Sequence, residues 1–232
     1  MKLEVLATLR ASGKNFYTVS DLAKATGLAK PSLYVFLARW TKAGLLRRLG
    51  TGFYGLPDVA PDLERLGNEY CFPSYLSFES ALARFGVLSQ SPYVLSFATP
   101  RRSRRLKLSW TEIEYRQLRT ELFFGYELEN GVYVALPEKA LCDQLYMKSL
   151  GRAELDVPSL NLSPIRKSVL AEFLQRFPER TRRLETELGL ARREEGGEER
   201  RGRNEERGGR REEHAVHLRD RLRERKGKKS EE

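Results

Sequence analysis

TVSDLAKATGLAKPSLYVFLARWTKAGLLRRLGTGFYGLP, residues 18–57, is the stretch from which the fold can be predicted first. Thr18 and Asp21 have the spacing of a helix start, where each side chain can accept a hydrogen bond from a free backbone N–H. Gly27 suits the left-handed conformation that ends a helix, and Pro31 suits the first turn of the next one because it lacks an N–H. The pattern predicts two helices joined by a tight turn.

The second helix is predicted to be amphipathic and to be followed by a β-hairpin. Its apolar positions, Leu33, Phe36, Leu37 and Trp40, recur at the helical spacing i, i+3, i+4 and i+7. Two short apolar runs, 45–49 and 53–56, follow Gly44 and are joined by Gly50-Thr51-Gly52, which is a hairpin signal. Two helices followed by a basic hairpin are typical of a winged helix-turn-helix, whose second helix enters the major groove of DNA. A small helical packing unit is the alternative. A winged-helix fold would not by itself establish DNA binding, because a fold does not determine a function.

On the winged-helix hypothesis, the second helix and the hairpin contact double-stranded DNA. The residues expected at the major groove are Ser32, Tyr34, Val35, Arg39 and Lys42. The residues expected to hold phosphates are Lys30, Arg47, Arg48 and Thr51.

The charge of the chain favours a polyanionic partner. The 232 residues carry a formal net charge of +10. Residues 1–60 hold nine Lys or Arg against three Asp or Glu, whereas residues 61–190 hold 18 against 17.

The cysteines favour a reducing compartment. Cys71 and Cys142 lie in apolar surroundings and are expected to be reduced core thiols. No signal peptide is recognisable and no run reaches the ~18 apolar residues of a membrane span, so we predict a cytoplasmic protein.

The domain organisation is predicted to be a winged helix-turn-helix at residues 1–57, a second domain at 63–190 and a low-complexity charged tail, expected to be disordered, at 191–232. The second domain should contain a helix at 77–85, grouped strands, a helix from Pro137 and C-terminal helices. Grouped strands indicate an α+β fold. The strand-length runs are 93–98, 106–110, 112–118, 122–128 and 132–136, the last two joined by a hairpin turn at Asn130-Gly131.

A second basic patch lies inside this domain. Its cations are Arg101, Arg102, Arg104, Arg105 and Lys107. One interpretation is a surface that contacts nucleic-acid phosphates or an acidic partner. The other is a solvated sheet edge, whose charges prevent pairing between sheets of different molecules.

The sequence does not predict an enzyme, a metal site or a cofactor. No histidine precedes His214, and no Cys/His spacing suits zinc. Glu138 and Lys139 fall in the first turn of a helix, where the helix dipole alone favours an acid. A metal-dependent nuclease using Glu114, Glu138 and Lys139 is a less favoured alternative. Another is an interaction or RNA-binding module that uses its winged helix for protein contacts.

Several segments, taken in order, resemble a known family. They are GFYGLP at 52–57, YLSFESAL at 75–82, Ala98-Thr99 before the basic patch, LFFG at 122–125, and VALPEKAL at 134–141 with Asp143. Over roughly residues 5–185 the chain resembles the AbiEi-type antitoxins, the transcriptional-regulator half of the AbiE (type IV) toxin–antitoxin systems of prokaryotes.

The resemblance implies a function in two parts. The winged helix would bind inverted repeats in the promoter of its own operon and repress transcription. The second domain would be needed to oppose a nucleotidyltransferase toxin, without a stable complex between the two proteins. The resemblance also implies that the chain has no catalytic site.

Overall fold

The computed structural model describes residues 2–187 and 189. The chain divides into two compact units, residues 1–184 and residues 185–232, and the predicted tail at 191–232 lies outside the described residues. Within the described part there are eight α-helices and two β-sheets, so the α+β prediction is confirmed. The predicted boundary between residues 57 and 63 falls inside the first compact unit.

The element bounds are as follows. The helices are α1 (Lys2–Ala11), α2 (Val19–Thr26), α3 (Lys30–Lys42), α4 (Leu63–Tyr70), α5 (Phe78–Arg84), α6 (Pro137–Ser149), α7 (Lys167–Leu174) and α8 (Glu179–Glu187). The strands are β1 (Tyr17–Thr18), β2 (Arg47–Gly50), β3 (Phe53–Gly55), β4 (Tyr75–Leu76), β5 (Leu95–Thr99), β6 (Arg104–Lys107), β7 (Glu112–Gln117), β8 (Tyr126–Glu129) and β9 (Val132–Ala135).

The N-terminal lobe, residues 2–59, contains α1 to α3 and a three-stranded antiparallel sheet in the order β1-β3-β2. The predicted capping box of α2 is present: the Thr18 hydroxyl accepts from the Asp21 N–H, and the Asp21 carboxylate accepts from the Thr18 N–H. Gly27 ends α2 with a φ of 65°. The lobe's core includes Leu33 and Trp40 from α3. Local signals therefore placed both helices correctly.

The second lobe, from α4 onward, is built on a six-stranded mixed sheet in the order β6-β7-β5-β4-β9-β8. The strands β5 and β7 are parallel, as are β4 and β9, and the other neighbours are antiparallel. Side chains alternate between the two faces of the sheet along each strand, and different helices pack on the two faces. Tyr115 of β7 donates a hydrogen bond to the carbonyl of Gly67 in α4, whereas Ser96 of β5 bonds to residues of α5.

Three details of this sheet differ from the sequence-based prediction. The central strand β4 was missed, because two residues are too few to show alternation. The run 122–128 is not one strand: a 3₁₀ turn at Thr120–Leu122 precedes it, Gly125 has a φ of 69°, and β8 begins only at Tyr126. The predicted strand at 106–110 is displaced toward the N-terminus, since β6 covers Arg104–Lys107. The Asn130-Gly131 turn between β8 and β9 is confirmed.

The β2–β3 hairpin packs against the second lobe. Leu49 of β2 is buried with Phe16 and Leu66 of α4. At Gly50 a Cβ atom would lie 2.9 Å from the Tyr70 ring and 3.0 Å from Leu106 of β6, so only glycine allows this approach. The hairpin is therefore held between α4 and β6.

Candidate nucleic-acid interface

The amphipathic pattern of α3 determines which of its side chains face outward. Leu33, Leu37 and Trp40 are buried in the lobe core. Tyr34 and Val35, on the outer side, are 56% and 52% exposed. Large apolar side chains with such exposure are available to contact a partner.

The outer side of α3 is also cationic. Lys30, Arg39 and Lys42 are exposed, as is Ser32, and no acidic residue occurs in α3. Within the described residues these three cations make no ion pair. The predicted α3 residues therefore all face solvent, and they include hydrogen-bond donors, apolar groups and positive charge.

The two arginines at the start of the hairpin have different surroundings. Arg48 is exposed, as is Thr51 at the hairpin turn. Arg47 is half-buried: its Nη2 donates to the Val59 carbonyl at 3.3 Å, and its Cζ lies 4.2 Å from the centroid of the Trp110 ring. Arg47 is therefore less exposed than Arg48, and its guanidinium already contacts Val59 and Trp110; its role as a phosphate contact stays a prediction.

The second basic patch divides into two groups. Arg105 pairs with Glu114 at 2.9 Å, and Lys107 pairs with Glu112 at 3.6 Å. Burial acts to raise the pKa of Glu114, but Arg116 and Arg105 outweigh this effect and hold that pKa below its ordinary value. The charges of these two β6 residues are therefore paired with carboxylates of the neighbouring strand β7. This arrangement agrees with the interpretation of the patch as a solvated sheet edge.

The other three cations of the patch, Arg101, Arg102 and Arg104, are exposed and make no ion pair within the described residues. Arg104 lies on the same face of β6 as Leu106, which contacts the hairpin at Gly50. Arg48 is close to the same contact, because its Nε donates to the Gly50 carbonyl at 3.4 Å. Tertiary packing thus brings strand β6, which carries Arg104, against the hairpin that carries Arg48.

The residues of the nuclease alternative are held by internal partners. Lys139 and Asp143 are fully buried and form an ion pair, and Lys139 Nζ also donates to the Tyr75 hydroxyl at 2.8 Å. Burial lowers the pKa of Lys139, and the contact with Asp143 opposes that shift. Glu138 is buried and accepts from the Arg166 side chain at 2.8 Å. Within the described residues, no group of three or more His, Cys, Asp or Glu could hold a metal ion.

Three of the segments that carry the family resemblance, 75–82, 122–125 and 134–143, meet around Lys139. Its ammonium lies 5.3 Å from the Tyr75 ring centroid and 5.0 Å from that of Phe124. A Cβ at Gly125 would lie 3.1 Å from the Lys139 side chain, and Ser77 donates to Asp143 at 2.8 Å. These three segments therefore contribute to the core of the second lobe rather than to an exposed site.

Sequence reasoning missed a groove along one flank of α3. Its volume is about 460 Å³. We call it the α3 groove, lined by Leu28, Ser32, Val35, Phe36, Arg39, Trp40, Ala43 and Leu45. The only sequence signal was a pair of leucines, Leu28 just before α3 and Leu45 just after it. Both line the groove because of the turns at the two ends of α3.

Comparisons with known proteins give a fold but no family. No family model matches the chain, and no curated protein matches it. The crystal structure of the RV2827C protein from Mycobacterium tuberculosis is similar, with a TM-score of 0.59 and 14% sequence identity, over 81% of this chain and 75% of that chain. At this identity the likeness concerns the fold alone. Within the part of the chain that the structure describes, no helix is long and apolar enough to cross a membrane.

Proposed function

We propose that this chain is a DNA-binding transcriptional repressor whose N-terminal lobe is a winged helix-turn-helix. The observation that carries the proposal is the outer surface of α3, which combines exposed Tyr34 and Val35 with three exposed cations, Lys30, Arg39 and Lys42, that form no ion pair with the residues the structure describes. The hairpin that follows carries Arg48, which is also exposed. A helix with such a surface fits the major groove, where base edges offer acceptors and thymine methyl groups.

The residues divide into two roles on this proposal. Arg39 is the candidate for a bidentate contact to guanine, and Val35 for a contact to a thymine methyl. Ser32, Tyr34 and Lys42 complete the set expected at the major groove. Positions that hold phosphates without reading sequence are Lys30, Arg48 and Thr51, together with Arg101, Arg102 and Arg104 of the second basic patch.

Binding to the chain's own upstream DNA tests the proposal. Fluorescence anisotropy would be recorded on that DNA and on random DNA over a range of salt concentrations. Arg39→Ala should weaken binding to the upstream DNA by about 1–3 kcal/mol and affect random DNA less. Arg48→Ala should weaken both and reduce the salt slope by about 1.

Arg10→Ala is the matched control, because Arg10 is an exposed cation of the same lobe that pairs with Asp58 at 2.7 Å. It should leave both affinities unchanged. Equal losses on both DNAs for Arg39→Ala would refute the base-reading role. No sequence-dependent binding at physiological salt would favour a protein- or RNA-interaction module instead.

We also propose, from the resemblance to AbiEi-type antitoxins, that the chain opposes a nucleotidyltransferase toxin in a prokaryotic cytoplasm without a stable complex. The support is that the resembling segments lie in order along the sequence and that three of them, 75–82, 122–125 and 134–143, meet around Lys139. The test is co-expression with the neighbouring gene. Growth rescue by the full chain, retained in Arg39→Ala, would separate the antitoxin function from DNA binding, and failure of the full chain to rescue would contradict it.

A further inference from the structure

The α3 groove has the size and lining of a small-molecule site. Its volume of about 460 Å³ lies in the range of about 300–1,000 Å³ that is usual for ligand pockets. Most of its lining is apolar, and the rings of Phe36 and Trp40 pack with their centroids 4.3 Å apart. Such a lining favours a ligand with an apolar body, because binding removes apolar surface from water.

The polar groups of the groove determine the charge of that ligand. Arg39 is exposed and makes no ion pair within the described residues, and Ser32 adds a hydroxyl. Among the residues that the structure describes, no Asp or Glu lines the groove. A guanidinium binds a carboxylate through two parallel hydrogen bonds, so a planar anion would match both the charge and the geometry of Arg39.

We propose that the α3 groove binds a small aromatic or branched-alkyl monocarboxylate, with its carboxylate on Arg39 and its apolar body against Phe36 and Trp40. Arg39, Val35 and Ser32 line the groove and also belong to the surface proposed to read DNA. The ligand and DNA therefore compete for the same side chains, and the ligand releases the repressor from its operator. This regulatory part rests on the proposed function; the binding site does not.

Calorimetry on the full chain, with no DNA present, tests the site. The probes are 2-naphthoate and its neutral isostere 2-naphthamide. We expect one site per chain and an affinity for naphthoate at least tenfold higher than for naphthamide, because only the carboxylate carries a charge opposite to that of Arg39 and can accept two parallel hydrogen bonds from its guanidinium. Equal affinities, or no saturation by roughly 5 mM naphthoate, would overturn the proposal.

Three variants locate the binding. Arg39→Gln should reduce the affinity for naphthoate to that for naphthamide and leave naphthamide unchanged. Ala43→Leu should fill the groove and weaken both probes at least tenfold. Lys24→Gln, which removes an exposed cation of α2 outside the groove, should change neither. An unchanged naphthoate affinity in Arg39→Gln, with folding verified by circular dichroism, would refute the assignment of Arg39.

Competition with operator DNA tests the regulatory part. Naphthoate should raise the apparent Kd for the upstream DNA at concentrations that saturate the groove, and naphthamide at the same concentration should not. Binding of naphthoate without any effect on operator affinity would overturn the regulatory part while the site stands. If the chain does not bind its upstream DNA at all, the proposed function fails, and calorimetry still decides the site.

Discussion

Replacing Asp143 by asparagine is expected to destabilise the fold by about 3–5 kcal/mol, the usual cost of removing one partner of a buried ion pair. Both side chains of the Lys139–Asp143 pair are fully buried. Asp143 also accepts hydrogen bonds from Tyr75 at 3.0 Å and from Ser77 at 2.8 Å. Asparagine preserves the shape of the side chain but leaves the Lys139 ammonium buried without its counter-charge.

Such a loss is large compared with the total stability of a domain, which is about 5–15 kcal/mol. At a urea slope of about 3 kcal/mol per M, the unfolding midpoint should fall by at least about 1 M. The assay is urea unfolding followed by far-UV circular dichroism. Asp156→Asn is the matched control: Asp156 is exposed and its carboxylate has no hydrogen bond or ion pair within the described residues, so its change should stay within about 0.5 kcal/mol.

A double variant separates the lost charge from general disruption. Lys139→Met combined with Asp143→Asn removes both charges and should be less destabilised than Asp143→Asn alone. A loss below about 1 kcal/mol in Asp143→Asn would refute the structural role. If stability is unchanged and growth rescue in the co-expression test is lost, the pair has a role other than stabilising the fold.

Three other substitutions test the packing described above. Gly67→Ala places a Cβ 2.5 Å from two atoms of the Phe97 ring, so we expect a loss of about 1–3 kcal/mol in urea unfolding; adding Phe97→Leu should recover part of it, and no loss would contradict the close approach. Glu138→Gln tests the buried carboxylate. Burial acts to raise the pKa of Glu138, but hydrogen bonds from Arg166 outweigh this effect and hold the pKa below 4.5. The stability from this carboxylate is therefore present above pH 4.5 and lost as pH falls through the lower folded pKa; thermal melts of Glu138→Gln should show a flatter acid profile, and an unchanged profile would exclude this contribution. Trp110→Ala removes the ring under the Arg47 guanidinium and should cost about 1 kcal/mol in urea unfolding, whereas an unchanged midpoint would show that this contact does not stabilise the hairpin.

The elements of the N-terminal lobe could be predicted because their signals are local. A capping box joins Thr18 to a residue three positions away, and Gly27 needs only its own left-handed conformation. The inward side of α3 follows from the spacing of its apolar residues. The exposed face proposed to contact DNA was predicted by the same periodicity, since residues that do not point inward on a surface helix point outward.

The second lobe shows where local signals are insufficient. Strand β4 has two residues, Tyr75 and Leu76, and lies in the centre of the sheet because of pairing with β5 and β9. No periodicity can appear in two residues, and both partners are distant in sequence. From the sequence, Lys139 was likewise predicted to lie in an ordinary first turn of a helix. Its burial depends on Tyr75, Phe124 and Asp143, which three different segments contribute.

Arg47 and Arg48 show the same limit at a single point in the chain. The sequence shows two adjacent arginines at the start of a hairpin, and alternation along a strand predicts only that they face opposite ways. Which of them is more exposed depends on tertiary contacts such as that of Trp110, a residue of the other lobe whose ring lies against the Arg47 guanidinium. Helix ends and helix faces depend on neighbours within a few positions and can be read from the sequence. Burial, strand order and the pairing of charges depend on residues that only folding brings together, so they required the three-dimensional structure.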